Sequence, residues 1–206
     1  MIDNENPRAR RREAKRAQIL AAAWTLAHRD GLAGISLRDL ANMVELRQPS
    51  LYAYFDSKHA LYDAMFAKGN AELVERAKAL PEKHDPRDAV LDLARMLLDF
   101  VNEDAVRYVL MFQRHIPGFE PSEASYAIAV EFYEIGRQRL AAAGVTEQAD
   151  MDLFTTLIAG IADQQMSNDP GGDRYLGLTD RIVAMFFAEI DKTHNESTAT
   201  KRKAAR

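Results

Sequence analysis

The stretch from Ser36 to Lys58 holds the side chains of this 206-residue chain whose types and spacing point most clearly to a chemistry. Arg47 and Gln48 carry planar hydrogen-bonding groups that match guanine and adenine in a DNA major groove, and Ser50 can add a hydroxyl contact. Pro49, between them, can offer only apolar contact, for example to a thymine methyl. Tyr52 and Lys58 are donors suited to phosphate oxygens. Lys58 and Ser36 each sit at the start of an expected helix, where exposed N–H groups favour an anion. Arg38 adds a cation to this set, and Tyr54 closes it.

Other chemistries find no support in the residue types. Cysteine is absent, which excludes disulfides, thiolate metal sites and a cysteine nucleophile, and fits a reducing, cytoplasmic setting. A carboxylate-bridged metal site in a helical bundle needs Glu-x-x-His pairs on two helices, and the chain has none. Its nearest pattern, Asp56-Ser-Lys-His59, places the Asp ahead of a helix, where capping explains it. There is no Gly-rich phosphate loop and no Gly-x-Ser-x-Gly turn. The expectation is therefore a non-enzyme with no catalytic residue, metal or cofactor. No apolar run approaches the ~20 residues that span a bilayer, so no membrane partner is expected. The basic N-terminus followed by Ile19 to Ala27 mimics a secretory signal, but Ile19, Leu20, Ala23, Trp24 and Ala27 recur at helical spacing as one face.

Charge is unevenly distributed. Residues 1–56 carry nine Lys/Arg against seven Asp/Glu, residues 57–191 carry 13 against 23, and residues 192–206 carry five against one. Within the first segment Arg8, Arg10, Arg11, Arg12, Lys15 and Arg16 face only Glu13, a footprint for polyanions ahead of the first expected helix.

The elements that must position these groups read as helices throughout. Lys15 to Asp30 is the first, stopped by Gly31. Ser36 caps the second, whose stripe is Leu37, Leu40, Ala41 and Val44. After a turn at Glu45, Leu46 and Arg47, a two-turn third helix covers Gln48 to Tyr54, with Pro49 tolerated in its first turn. Ser57 caps a fourth helix to about Leu80. Further helices run from Pro86 to Asn102, Asp104 to Ile116, Ser122 to Ala143, Thr146 to Asn168 and Thr179 to Lys192. No segment alternates long enough for a strand. The fold class is all-α with about nine helices: a three-helix helix-turn-helix domain, then a helical bundle. The segments expected are 1–56 for the basic arm and DNA-binding domain, 57–193 for ligand binding and dimerisation, and 194–206 as a disordered basic tail.

Leu40, Ala41, Val44, Leu46, Leu51 and Tyr54 fall in the register of a helix-turn-helix whose second helix enters the major groove. From Ile19 to Phe66 the chain resembles the DNA-binding domain of TetR (tetracycline-repressor-like) regulators. The residues that carry the likeness are Ala22, Gly31, Ser36, Leu37, Asp39, Leu40, Ala41, Leu46, Leu51, Tyr52, Tyr54, Phe55, Ser57, Lys58, Leu61 and Tyr62. The run Ser50 to Lys58 matches best. The resemblance implies a homodimer on a palindromic double-stranded operator, released by a small-molecule effector bound in the C-terminal domain. Two positions depart from the pattern. Glu45 stands at the turn where the family usually has Gly, so the turn is either strained or reshaped. Ala53 stands where members often place a backbone-contacting His.

In the second half, Met and aromatic residues make adaptable apolar walls for an apolar or amphipathic ligand. The cavity candidates are Met96, Phe100, Tyr108, Met111, Phe112, Tyr126 and Met166, with His115 as a polar group or an exposed helix end. The last two helices carry more apolar residues than one inward stripe buries. Adjacent Phe186 and Phe187 point ~100° apart, so one of them is expected to need a second copy of the chain as its partner. A helical interaction protein, or a regulator that binds DNA constitutively, remains the alternative.

Overall fold

A computed structural model describes residues 7–113 and 115–204, with side chains through Thr193. Nine α-helices and no strand occur among the described residues. They are α1 Pro7–Gly34, α2 Leu37–Met43, α3 Gln48–Leu51, α4 Lys58–Lys78, α5 Pro86–Glu103, α6 Ala105–Phe112, α7 Glu123–Ala142, α8 Gln148–Asn168 and α9 Thr179–Ala204. A single 3-10 turn, Leu176–Leu178, precedes α9.

Several boundaries differ from the sequence expectation, each for a local reason. Helix α1 begins at Pro7 rather than Lys15, because the basic run is made of Ala, Arg, Glu and Lys, all good helix formers, behind a proline suited to a first turn. Its regular part ends at Gly31, whose φ of 76° breaks the helical conformation as expected. Helix α3 is one turn, not two: residues 52–54 continue as a turn, with Tyr54 N–H and Phe55 N–H both donating to Leu51 O at 2.9 and 3.1 Å. Helix α6 stops at Phe112, ahead of Ile116. Helix α9 runs to Ala204, past the end expected at Lys192, because no Pro or Gly interrupts it. Side chains of the expected tail lie outside the described residues.

The packing divides the chain into two compact units, Met1–Glu72 with Val106–Ala129, and Leu73–Ala105 with Val130–Arg206. In the first, Ile19, Ala23, Leu26 and Ala27 of α1 meet Leu40 and Ala41 of α2, Leu51 of α3, Phe55, and Leu61, Tyr62, Met65 and Phe66 of α4 in one core. Leu110 of α6 joins this core. Gly69 lies close against Met111: a Cβ there would be 2.6 Å from the Met111 sulfur and would push that flexible side chain aside. The Asp63 carboxylate on α4 receives Ser122 N–H at 2.7 Å and the hydroxyls of Ser122 and Ser125 at 2.9 Å, capping the start of α7.

In the second unit α5, α8 and α9 share a core of Val90, Leu93, Leu98, Met151, Ile158, Ile161, Val183 and Ile190. Arg87 and Arg95 of α5 each form a paired contact with a carboxylate of α9, Asp191 and Asp180. The buried Gln165 amide pins the segment before α9: it donates to Asp169 O, and its oxygen accepts Tyr175 N–H at 2.9 Å and Leu176 N–H at 3.3 Å.

Candidate nucleic-acid interface

The sequence between α2 and α3 folds into a helix stop with a recognisable hydrogen-bond pattern. Leu46 N–H donates to Ala41 O at 2.8 Å and Glu45 N–H to Asn42 O at 3.2 Å, the two bonds of a Schellman motif. That motif needs a left-handed residue, and Glu45 supplies it with a φ of 55°, alone among non-glycine residues in the described chain. Of the two outcomes open from sequence, the turn keeps its shape and bears the strain.

Helix α2 starts as expected, with Asp39 N–H bonded to the Ser36 hydroxyl at 3.3 Å. Helix α3 follows the extended residue Arg47, with Pro49 in its first turn. Leu51 is only 1% exposed and plugs the core beside Phe55, which turns the opposite face of the helix to solvent. Around the rest of this turn Arg47, Gln48, Pro49, Ser50 and Tyr52 are all exposed. Arg38 is exposed on α2, while Ser36 and Tyr54 are half-buried. The base-reading candidates are therefore all exposed on one turn of helix.

Lys58 differs from its sequence expectation in its surroundings. Its ammonium donates to Ala33 O at 2.7 Å and lies 5.6 Å from the centre of the Tyr62 ring, and burial pulls its pKa below the ordinary lysine value. It thus closes the end of α1 with one of its three N–H bonds. Tyr62 donates to Leu32 O at 2.5 Å, and burial raises its own pKa.

The individual contacts of the basic run escape sequence inspection. Lys15 Nζ donates to Val44 O at 2.7 Å, Arg16 Nη1 to Tyr54 O at 2.8 Å and Arg12 Nη2 to Ala53 O at 3.1 Å. The Arg16 guanidinium also covers the Phe55 ring at 4.4 Å. A signal was present: neither α2 nor α3 has a basic residue in its last turn, whereas α1 carries cations at i, i+3 and i+4.

Residues 19–65 match the profile of bacterial regulatory proteins of the tetR family. That segment, the first part of the chain, is similar to the DNA-binding part of those regulators. Solved structures of similar fold agree along most of the chain. A tetR-family transcriptional regulator from Streptomyces coelicolor superposes with a TM-score of 0.68 at 21% identity, covering 91% of this chain and 86% of that one. The transcriptional regulator FadR from Bacillus subtilis, in complex with stearoyl-CoA, gives 0.66 at 14% identity over 82% and 96%. A TetR variant from Acinetobacter baumannii AYE, in complex with minocycline, gives 0.59 at 22% identity over 86% and 96%. Among curated proteins no significant match is found. The match falls on the helix-turn-helix of residues 19–65, and the neighbours share the fold of the longer chain.

The ligand candidates fall into two sets. In the first unit Tyr108 is buried and stacks on Phe112 with ring centres 5.8 Å apart, while Met111 is half-buried against Gly69. Phe112 is 43% and Tyr126 55% exposed, and His115 is exposed as well. In the second unit Phe100 is fully buried beneath the Arg76 guanidinium at 4.9 Å, and Met96 and Met166 are half-buried. No group of three or more metal-ligating side chains occurs among the described residues, and no described helix is long and apolar enough to cross a membrane.

Proposed function

We propose that this chain is a tetR-family regulator: a cytoplasmic, ligand-responsive repressor, not an enzyme, that holds a palindromic operator as a homodimer and releases it when an apolar or amphipathic small molecule binds. The observation that carries the proposal is that Arg47, Gln48, Pro49 and Ser50 are all exposed on a short helical turn that Leu51, with Phe55 just beyond it, anchors in the core. Arg47 and Gln48 read base edges, with Ser50 beside them. Pro49 supplies apolar contact. Ser36, Arg38, Tyr52, Tyr54 and Lys58 hold the backbone. Residues 1–56 act as the reading segment and 57–193 as the sensing and dimerising one.

Dimerisation is assigned to the last two helices, as expected, but not to the Phe186–Phe187 pair. Phe186 and Phe187 are 2% and 4% exposed within a single chain, so neither needs a mate. Phe187 is covered by Arg87 at 4.8 Å, and Phe186 meets Phe154 with ring centres 5.1 Å apart. The open apolar side chains of α8, α9 and the turn before α9 are instead Leu153, Leu178 and Met185, the last 60% exposed, with Leu157 and Ile182 half-buried nearby in the same helical rows. A two-fold pairing of these helices in a four-helix interface covers them.

Ligand response draws on Tyr108, Met111 and Phe112 beside α4, and on Met96, Phe100 and Met166 of the second unit, with Tyr126 and His115 at the exposed margin. The solved relatives that hold stearoyl-CoA and minocycline support an amphipathic or apolar ligand class. Operator selection from a randomised duplex pool, followed by titration with fatty acyl thioesters and hydrophobic drugs, tests the proposal. Selection of a palindrome whose complex weakens ~10–100-fold with one such compound, equivalent to ~1.4–2.7 kcal/mol of differential binding, supports it. A selected palindrome that no compound weakens leaves a constitutive regulator; no selected sequence removes the DNA-reading proposal.

A further inference from the structure

Helix α3 has four residues, too few to hold itself, so its angle to α2 depends on what anchors its two ends. Leu51 and Phe55 anchor it from within. The carbonyl ends of α2 and of the α3 turn also carry partial negative charge and unfilled acceptors, and neither helix supplies a cation of its own there. Three carbonyls at those ends, Val44, Ala53 and Tyr54, are instead filled from α1 by Lys15, Arg12 and Arg16.

We infer that Arg12, Lys15 and Arg16 are positioning residues for DNA reading: one face of α1 grips the ends of both α2 and α3 and sets the angle at which Arg47 and Gln48 are presented. Lys15 takes the end of α2, while Arg12 and Arg16 take the turn after α3, so the grip spans the helix-turn-helix on the side of its carbonyl ends. A guanidinium that donates to Tyr54 O and lies on the Phe55 ring, as Arg16 does, is committed to the protein. The basic run is thus divided, with these three cations serving geometry rather than acting as a simple phosphate-attracting arm. This inference rests on the DNA-reading proposal for its consequence, but its structural half can be measured without DNA.

The test uses full-length protein with Lys15→Met and Arg16→Met, which keep apolar stems, and with Arg12→Gln as the mildest change because Arg12 is exposed. Lys15→Arg is the conservative control. In DNA-free protein, amide exchange at Tyr54 and Phe55 should quicken at least tenfold in Arg16→Met while amides in the middle of α4 hold. On the duplex selected by the wild type, Lys15→Met and Arg16→Met should lose about tenfold in affinity and in the ratio of selected to random duplex. The slope of log affinity against log salt should stay constant, and Lys15→Arg should recover most of the loss. A lost phosphate contact would instead flatten that slope by about 0.9 per contact, about 1.8 per substitution in a homodimer, with the ratio intact, and would overturn the inference. A role confined to stability would lower the melting temperature but leave the ratio unchanged well below it, which also overturns it. If the larger changes prevent folding, Arg12→Gln decides by the same slope and ratio. If the wild type selects no duplex, the DNA-reading proposal falls, and unchanged exchange in Arg16→Met separately refutes the grip.

Discussion

Replacing Glu45 tests whether the turn between α2 and α3 is held in a left-handed conformation against the preference of its residue. At φ 55° a side chain bearing a Cβ crowds the following carbonyl, at a cost of ~1–2 kcal/mol. Glycine removes that cost but gains freedom in the unfolded chain, which returns ~0.4–1 kcal/mol, so the net stabilisation expected is about 1 kcal/mol. The comparison that isolates the backbone is Glu45→Gly against Glu45→Ala, because both lose the carboxylate and only the glycine relieves the strain. For a chain of this length the glycine variant should melt ~2–4 °C above the alanine variant, followed by circular dichroism at 222 nm. Charge is read separately. A carboxylate about 8 Å from one phosphate in water costs about 0.5 kcal/mol, so Glu45→Gln should bind operator roughly twofold tighter at low salt with little change in melting. If the glycine variant melts no higher than the alanine variant, position 45 is not strained and the Schellman closure is misdescribed.

Three further outcomes are expected. Met185→Asp should turn a dimer into a monomer by sedimentation and abolish tight operator binding, while the helical signal persists, since Met185 is exposed within one chain. Gln165→Leu should cost ~1–3 kcal/mol in urea unfolding, because it strands part-buried backbone groups at Asp169, Tyr175 and Leu176. The Arg95 guanidinium holds the Asp180 carboxyl below the usual carboxylate range, and its folded pKa therefore lies below its unfolded one. Its contribution is present above the unfolded pKa and is lost as the pH falls through the folded one. Asp180→Asn should accordingly lower the melting temperature slightly at pH 7 and make progressively less difference as the pH falls through the folded pKa, the pair being exposed and worth under about 1 kcal/mol.

Helix starts and stops that depend on local chemistry were legible in the sequence. Ser36, Asp85 and Gly31 act where their side chains or their missing Cβ demand. Ser57 likewise receives Ala60 N–H at 3.0 Å. The helix-turn-helix was legible because its apolar spacing is a property of two adjacent elements, and the exposure of Arg47 to Ser50 is consistent with Leu51 being the one residue of that turn placed inside. Contacts between elements far apart in sequence were not legible. That Arg16 fills Tyr54 O, or that Lys58 turns back to Ala33 O, depends on tertiary placement rather than on any local pattern. The same limit explains Phe186 and Phe187. Their ~100° separation on a helix wheel is real, but α9 is packed by more than one neighbour, and Phe154 and Arg87 cover both rings. Aromatic density alone likewise failed to distinguish Phe100, sealed in the core, from Tyr126, which faces solvent.

The central claim, that α3 reads bases through its exposed residues, is tested most directly by selecting duplexes from a randomised pool with the wild type and with Arg47→Ala in parallel. The wild type should enrich a palindrome with half-sites centred about one helical turn apart, or a multiple of it, and Arg47→Ala should relax preference at one position in each half-site while keeping the others. An unchanged consensus, or a loss of affinity that is equal on every duplex, would contradict base reading by Arg47.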